Sequence, residues 1–160
     1  MAGMAKMEPM GRVKSSSNTG FDKSVIARVR AVYAEVDARP VSRACEKRTE
    51  CCRFQISGRT PYLTKGEALL AVTAWKATGR RKLPDRGGVC PFLSENDGKC
   101  LIYKDRPFGC RTHFCAEAGG PYSRGEVVDL IWKLESLDAE LGGCGGVMLE
   151  SAVRDALSQV

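Results

Sequence analysis

The chain has no long hydrophobic run: its longest apolar stretch, Ala68 to Trp75, falls far short of the ~18 residues a membrane span needs. Lys6, Arg12 and Lys14 near the start are followed by no apolar segment, so a secretory signal is not expected and the cytoplasm is. Histidine is almost missing. With His113 alone, a His-Glu-x-x-His zinc protease is excluded, and any imidazole chemistry must run through one ring. There is no P-loop and no glycine-rich dinucleotide fingerprint. Aromatic residues make up only 7%, too few to interleave with basic residues as single-strand nucleic-acid binding requires.

What the chain has in excess is cysteine, 8 in 160 residues. In a reducing compartment such a count reads as metal ligands or redox groups more readily than as a disulfide framework. The length suits one domain. The net charge of +6 is unevenly placed: +2 over residues 1–38, +9 over 39–113 and −5 over 114–160. The basic middle holds six of the eight cysteines, where Lys and Arg would offset the charge of an anionic thiolate site. A plain solvated basic face is the competing reading.

Residues 1–20 lack periodicity and read as a disordered arm; residues 21–160 read as a single domain. Phe21, Val25, Ile26, Val29, Val32, Tyr33 and Val36 recur at helical spacing, and Arg39-Pro40 ends that helix. The stretch to Thr60 reads as loop with a short extended piece at Arg53–Ile56. Thr64 with Glu67 forms a capping-box signature for a second helix to about Thr78. Asn96-Asp97-Gly98 between two short apolar runs predicts an irregular hairpin. Arg106-Pro107-Phe108-Gly109 predicts a turn before Cys110. Residues 123–158 read as C-terminal helices: Ser123 and Glu126 open one that runs to Leu141, and a last helix spans Val147 to Leu157 after a glycine-rich break. The expected fold class is α+β, a small mainly helical single domain with an irregular cysteine-rich metal-binding middle.

The candidate metal ligands are Cys45, Cys51, Cys52, Cys90, Cys100, Cys110 and Cys115. They lie in segments with weak secondary-structure signals, and ordering these costs roughly 1–2 kcal/mol per residue. Structural zinc, with apparent binding energies of roughly 10–16 kcal/mol, could offset that. Cys90, Cys100 and Cys110 have the clearest turn punctuation, with Cys52 or Cys51 as the fourth ligand. Neighbours in an extended chain face opposite ways, so Cys51 and Cys52 are not expected to serve one metal together. Cys45 and Cys115 are alternatives or belong to a second site. His113 reads either as a ligand or as a hydrogen-bonded loop residue. Cys144, among glycines, reads as a surface or packing thiol.

At these residues the sequence resembles a family of cysteine-cluster proteins with a zinc- or iron-chelating domain, named for a Cys-x-x-Cys-x-x-Cys-Cys motif. Cys45-Glu46-Lys47-Arg48-Thr49-Glu50-Cys51-Cys52 keeps three of the four motif cysteines, and Arg48 replaces the second. Cys90-Pro91-Phe92-Leu93, Gly98 to Tyr103 and Arg106 to Cys110 also match. The similarity spans about residues 45–115. It implies zinc or an iron–sulfur cluster and a cytoplasmic protein. A flagellin lysine methylase carries a similar domain, but no methyl-donor pocket is legible here.

Four thiolates suit both zinc and a cluster such as 4Fe-4S. Paired knuckles are nearly absent and the ligand spacings are long, which leans toward iron–sulfur. The expected function is a metal-binding protein with a structural, electron-transfer or metal-handling role. The alternatives are a cluster-dependent oxidoreductase or protein-modifying transferase, with a pocket lined by Arg106, Arg111 or His113, and a basic RNA- or protein-binding adaptor using residues 39–59 and 76–86. Composition argues against nucleic acid and against a membrane, and names no partner protein.

Overall fold

In the computed structural model, residues 23–40 and 42–160 are described; the expected arm at 1–20 and the Phe21 start of the first helix lie outside the described residues. Helix α1 (Lys23–Asp37) buries Val25, Ile26, Val29, Val32, Tyr33 and Val36, the stripe that its 3.6-residue periodicity dictates. Helix α2 (Phe54–Ser57) is a single turn. Helix α3 (Lys65–Ala77) is buried on nearly all sides, through Ala68, Leu69, Leu70, Ala71, Val72 and Trp75, and so forms the centre of the molecule. It packs against α1, against α5 (Arg124–Glu140) and against α6 (Leu149–Leu157). Gly66 lets α1 and α3 approach closely, since a Cβ there would meet Val29 Cγ2 at 3.1 Å.

Strands β1 (Tyr62–Leu63) and β2 (Val147–Met148) make a two-stranded antiparallel ribbon in which Tyr62 faces Met148 and Leu63 faces Val147. The glycine-rich break before β2 wraps a buried carboxylate. Asp138 accepts from Lys65 N at 2.6 Å and Gly145 N at 2.8 Å. A side chain at Gly143 would lie 2.3 Å from that carboxylate, so only glycine fits.

Both capping boxes form, Thr64 with Glu67 and Ser123 with Glu126. The irregular hairpin is present as one antiparallel bridge, Leu93 to Cys100, supported by Leu101 N to Phe92 O at 2.9 Å and Ser94 N to Lys99 O at 2.8 Å. The extended piece expected at Arg53–Ile56 is instead helical from Phe54. Arg53 alone is extended enough to bridge Val89, and Gly58, at φ +65°, closes the turn behind it. The turn expected before Cys110 is also helical: α4 (Phe108–Thr112) starts behind Pro107 and carries the cysteine in its middle. The fold is thus a mainly helical α+β domain, with the cysteine-bearing segments laid along α3: Phe92 of the hairpin packs on Trp75 near its C-terminal end and Phe108 of α4 bonds to Glu67 at its start. No helix among the described residues is long and apolar enough to cross a membrane.

Candidate metal centre

Six thiols share one chamber. Cys45, Cys51, Cys52, Cys90, Cys100 and Cys110 all line a cavity of about 220 Å³ whose remaining wall includes Phe92, Ile102, Tyr103 and Arg106. Local backbone geometry explains the convergence. Cys51 and Cys52 lie in a 3-10 turn, Glu50–Cys52, in which successive side chains diverge by about 120° rather than the near-opposition of a strand. Both therefore reach the chamber, contrary to the expectation from extended geometry. Cys90 N donates to Cys52 O at 2.8 Å, which sets the first cysteine of the hairpin beside the motif pair. The hairpin bridge brings Cys100 in, and α4 delivers Cys110.

All eight cysteines are free thiols, with Cys90 buried and Cys45 and Cys144 exposed. Cys51 bonds to Cys52, which holds its proton and, with burial, raises its pKa. Cys52 is lowered by the bond from Cys51, but its own bond to Cys90, with burial, pushes it up to about 12. Burial raises Cys110, and the neighbouring Cys52 and Cys100 add to the effect. Burial also raises Cys100, while Arg106 pulls it down. These thiols resist ionising chiefly because burial and the bonds between them hold the proton, and charge on a neighbouring thiol adds to the effect. A bound multivalent cation reverses that logic, since a coordinating thiol is deprotonated outright.

The chemistry of the wall fits such an occupant. Lys47, Lys99 and Arg106 bring positive charge to the chamber, and four thiolates around a divalent ion leave a net negative site. The Nε of Arg106 is buried without a hydrogen-bond partner, and the guanidinium lies 4.1 Å over the ring of Tyr103. Tyr103 in turn is hydrogen-bonded to Cys45. Among the described residues, however, no three His, Cys, Asp or Glu side chains already form a group that could hold a single metal ion. The thiols ring the chamber without closing on one point.

The candidate Cys115 and the remaining cysteine, Cys144, lie elsewhere. Cys115 caps the short turn Ala116–Ala118 and is not on the chamber wall. Cys144 lines a separate cavity beside Asp138 and Val147. His113 follows α4 and touches the chamber, but Arg59 NH1 lies 3.2 Å from its Nδ1. A guanidinium can only donate, so Nδ1 accepts and the proton rests on Nε2. As placed, the ring has no free lone pair for a metal. Burial and then Arg59 lower its pKa, which keeps it neutral.

Arg111, expected as a pocket residue, is a core residue, 5% exposed. It donates to Asp37 and to the carbonyls of Arg106 and Lys104 and lies 4.3 Å over the Tyr33 ring. Its reach from α4 to α1 engages all three guanidinium nitrogens within the core. Glu67 does more than the capping box foretold. Besides Thr64, its carboxylate accepts from Tyr33 OH at 3.0 Å and Phe108 N at 2.8 Å, which pins the start of α4 to α1 and α3. The sequence carried no signal for these two contacts, because the cap alone accounts for a glutamate at that position.

A family model described as a putative zinc- or iron-chelating domain, of the Cys-x-x-Cys-x-x-Cys-Cys type, matches residues 44–130. That is more than half of the chain, and the protein belongs to this family. No curated protein and no solved structure matches it. Within the matched span lie all six thiols of the chamber.

Proposed function

We propose that the protein is a cytoplasmic metalloprotein whose thiol chamber holds an iron–sulfur cluster, with Cys52, Cys90, Cys100 and Cys110 as ligands. One observation carries the reading: six thiols from three separate stretches of chain line a single cavity of about 220 Å³. A lone tetrahedral zinc, with sulfur at about 2.3 Å from the metal, draws its sulfurs to roughly 3.8 Å from one another. Among the described residues no three His, Cys, Asp or Glu side chains are gathered tightly enough to hold one ion, which supports a bulkier group over a single zinc. Cys51 and Cys45 stand on the same wall as alternative ligands. Cys115 belongs, on this reading, to no primary site.

When bound, a cluster supplies one-electron chemistry or a rigid cross-link between the segments that ligate it. The chain's own residues exclude water from it through Phe92 and Ile102, and offset its charge through Lys47, Lys99 and Arg106. Cys90, at 6% exposure, sits on the most protected side. A second reading, a cluster-dependent oxidoreductase or protein-modifying transferase, is favoured by a neighbouring cavity that shares part of the chamber wall.

The test is iron, sulfide and zinc analysis with visible spectra on protein purified without oxygen, repeated on single serine variants of Cys90, Cys100 and Cys110. Brown protein with iron and sulfide in equal amounts, lost in each variant, is expected. Colourless protein with one zinc per chain would replace the cluster by zinc. Protein that binds neither, even after reconstitution, would end the proposal.

A further inference from the structure

Beside the thiol chamber lies a larger, half-open cavity of about 440 Å³, and the two share Cys51, Cys110 and His113 as common wall. Its size falls within the range of small-molecule sites, which pair apolar walls with a few placed polar groups. One side is a face of α5. Arg124, Val127, Ile131 and Glu135 are separated by three, four and four residues and so lie in one row. Phe108 and Pro61 supply apolar surface from other parts of the chain.

The charged groups of this cavity are distributed in a way that selects a ligand. Arg59 and Arg124 both line it, and among the described residues neither has a carboxylate partner. Seven other arginines, by contrast, each hold a carboxylate within 4 Å. Arg59 is fixed by its contact to His113 Nδ1 at 3.2 Å, which leaves other N–H groups of its fork free. Glu67, also on the wall, has its carboxylate already engaged by four donors and does not compete. Glu135 lies eleven residues along α5 from Arg124, about 16 Å at 1.5 Å per residue, so its charge is at the far end.

We infer that this second cavity binds a small amphipathic oxyanion, its carboxylate or phosphate head on Arg59 and Arg124 and its apolar body along the Val127–Ile131 face of α5. The position of that head beside the metal centre rests on the reading proposed above; the binding itself does not. A guanidinium pair recognises planar or tetrahedral oxyanions through paired N–H donors, and a ligand with an apolar body gains the burial that a small inorganic anion forgoes.

The experiment follows backbone amide shifts of the metal-loaded protein during titration with 4-phenylbutyrate, 4-phenylbutyl phosphate and the uncharged 4-phenylbutanol, for the parent chain and for Arg59→Gln, Arg124→Gln and Arg154→Gln. Saturable shifts at Thr60, Phe108 and Ile131 are expected with an anionic probe. The alcohol should bind at least ten-fold more weakly, each cavity variant should lose about ten-fold, and Arg154→Gln, on the remote surface of α6, should lose nothing. Tighter binding of the phosphate or of the carboxylate identifies the head. No saturable shift with either anion, equal binding of the alcohol, or indifference to both cavity arginines overturns the inference. Metal content measured on the same samples separates the outcomes: a full complement of metal without anion binding defeats this inference alone, and anion binding to protein that takes up no metal even after reconstitution defeats only the metal reading.

Discussion

The helical framework and the thiol chamber are held together by different physics. In the framework, apolar stripes on α1, α3, α5 and α6 close over one another, and surface charges pair across the seams. Arg28 meets Glu140, Lys133 meets Glu35 and Arg39 meets Asp129. Around the chamber, secondary structure dwindles to single turns and isolated bridges, and Lys47 and Arg106 have no carboxylate partner among the described residues. The framework completes itself from its own side chains. The chamber is lined by thiols that burial and their neighbours keep protonated and by three cations of which, among the described residues, Lys99 alone meets a carboxylate, Asp97 at 3.2 Å, an arrangement that suits the metal centre proposed above. Glu67 and Arg111 join the two regions, since each reaches from α4 or α3 to α1.

The most severe way to break this comparison is to remove the proposed metal ligands. In the double variant Cys100→Ser/Cys110→Ser, bound metal should fall to background, and hydrogen-exchange protection should vanish across residues 45–60 and 87–115. Circular dichroism from α1, α3, α5 and α6 should be nearly unchanged. Leu70, fully buried in α3, gives the opposite case. Leu70→Ala should cost about 3 kcal/mol, as large-to-small core changes do, and should melt both regions together in urea. If the cysteine variant also loses its helices, the two regions form one cooperative unit and the distinction drawn here fails.

The same contrast decides what was legible in the sequence. The buried stripe of α1, both capping boxes and the glycine break after α5 follow from local rules, and each appears at its expected position. The chamber could be read only as a set of cysteines. Their grouping depends on long-range contacts, Cys52 O to Cys90 N and the Leu93–Cys100 bridge, which leave no periodic trace. Cys51 and Cys52 were separable only on the assumption of an extended chain, and a 3-10 turn removed it. Arg111 read as a pocket arginine because a lone basic residue beside a cysteine carries no mark of burial. Its partner Asp37 lies 74 residues away.

Glu67 sharpens the comparison at the joint. Burial raises its pKa above 4.5, against the lowering effect of bonds from Thr64, Phe108 and Tyr33. The folded state therefore holds this proton more tightly than the unfolded chain does. Its contribution to stability is complete below pH 4.5 and is lost as pH rises through the raised folded value. In Glu67→Gln that part of the pH dependence should disappear, so the difference between the two stability curves should slope above pH 4.5 and then level. The variant should also lose about 1–2 kcal/mol near neutrality, because an amide cannot accept from all four donors. Urea midpoints at a series of pH values measure both. A difference curve flat from pH 4 to 8 would show that the carboxylate titrates as it does in the unfolded chain.

The smallest effect is expected within the framework, at the start of α5. Glu126 is exposed, and its pKa is lowered by the Ser123 backbone N–H, with Arg43 and the Ser123 hydroxyl adding to that. A depressed carboxylate contributes stability above 4.5 that is lost as pH falls through the folded value, the reverse of Glu67. Ser123→Ala removes the hydroxyl that accepts from the third helical N–H, and caps of this kind are worth about 1 kcal/mol. Stability should drop by about that amount, the carboxyl titration of Glu126 followed by NMR should move up toward 4.5, and bound metal should not change. Metal loss in this variant would mean that the α5 N-terminus, through Arg43 against Gly119 O at 3.3 Å, transmits strain to the cysteine segments. The separation between a self-sufficient framework and a chamber completed, as proposed, by metal would then hold only for the helix interiors.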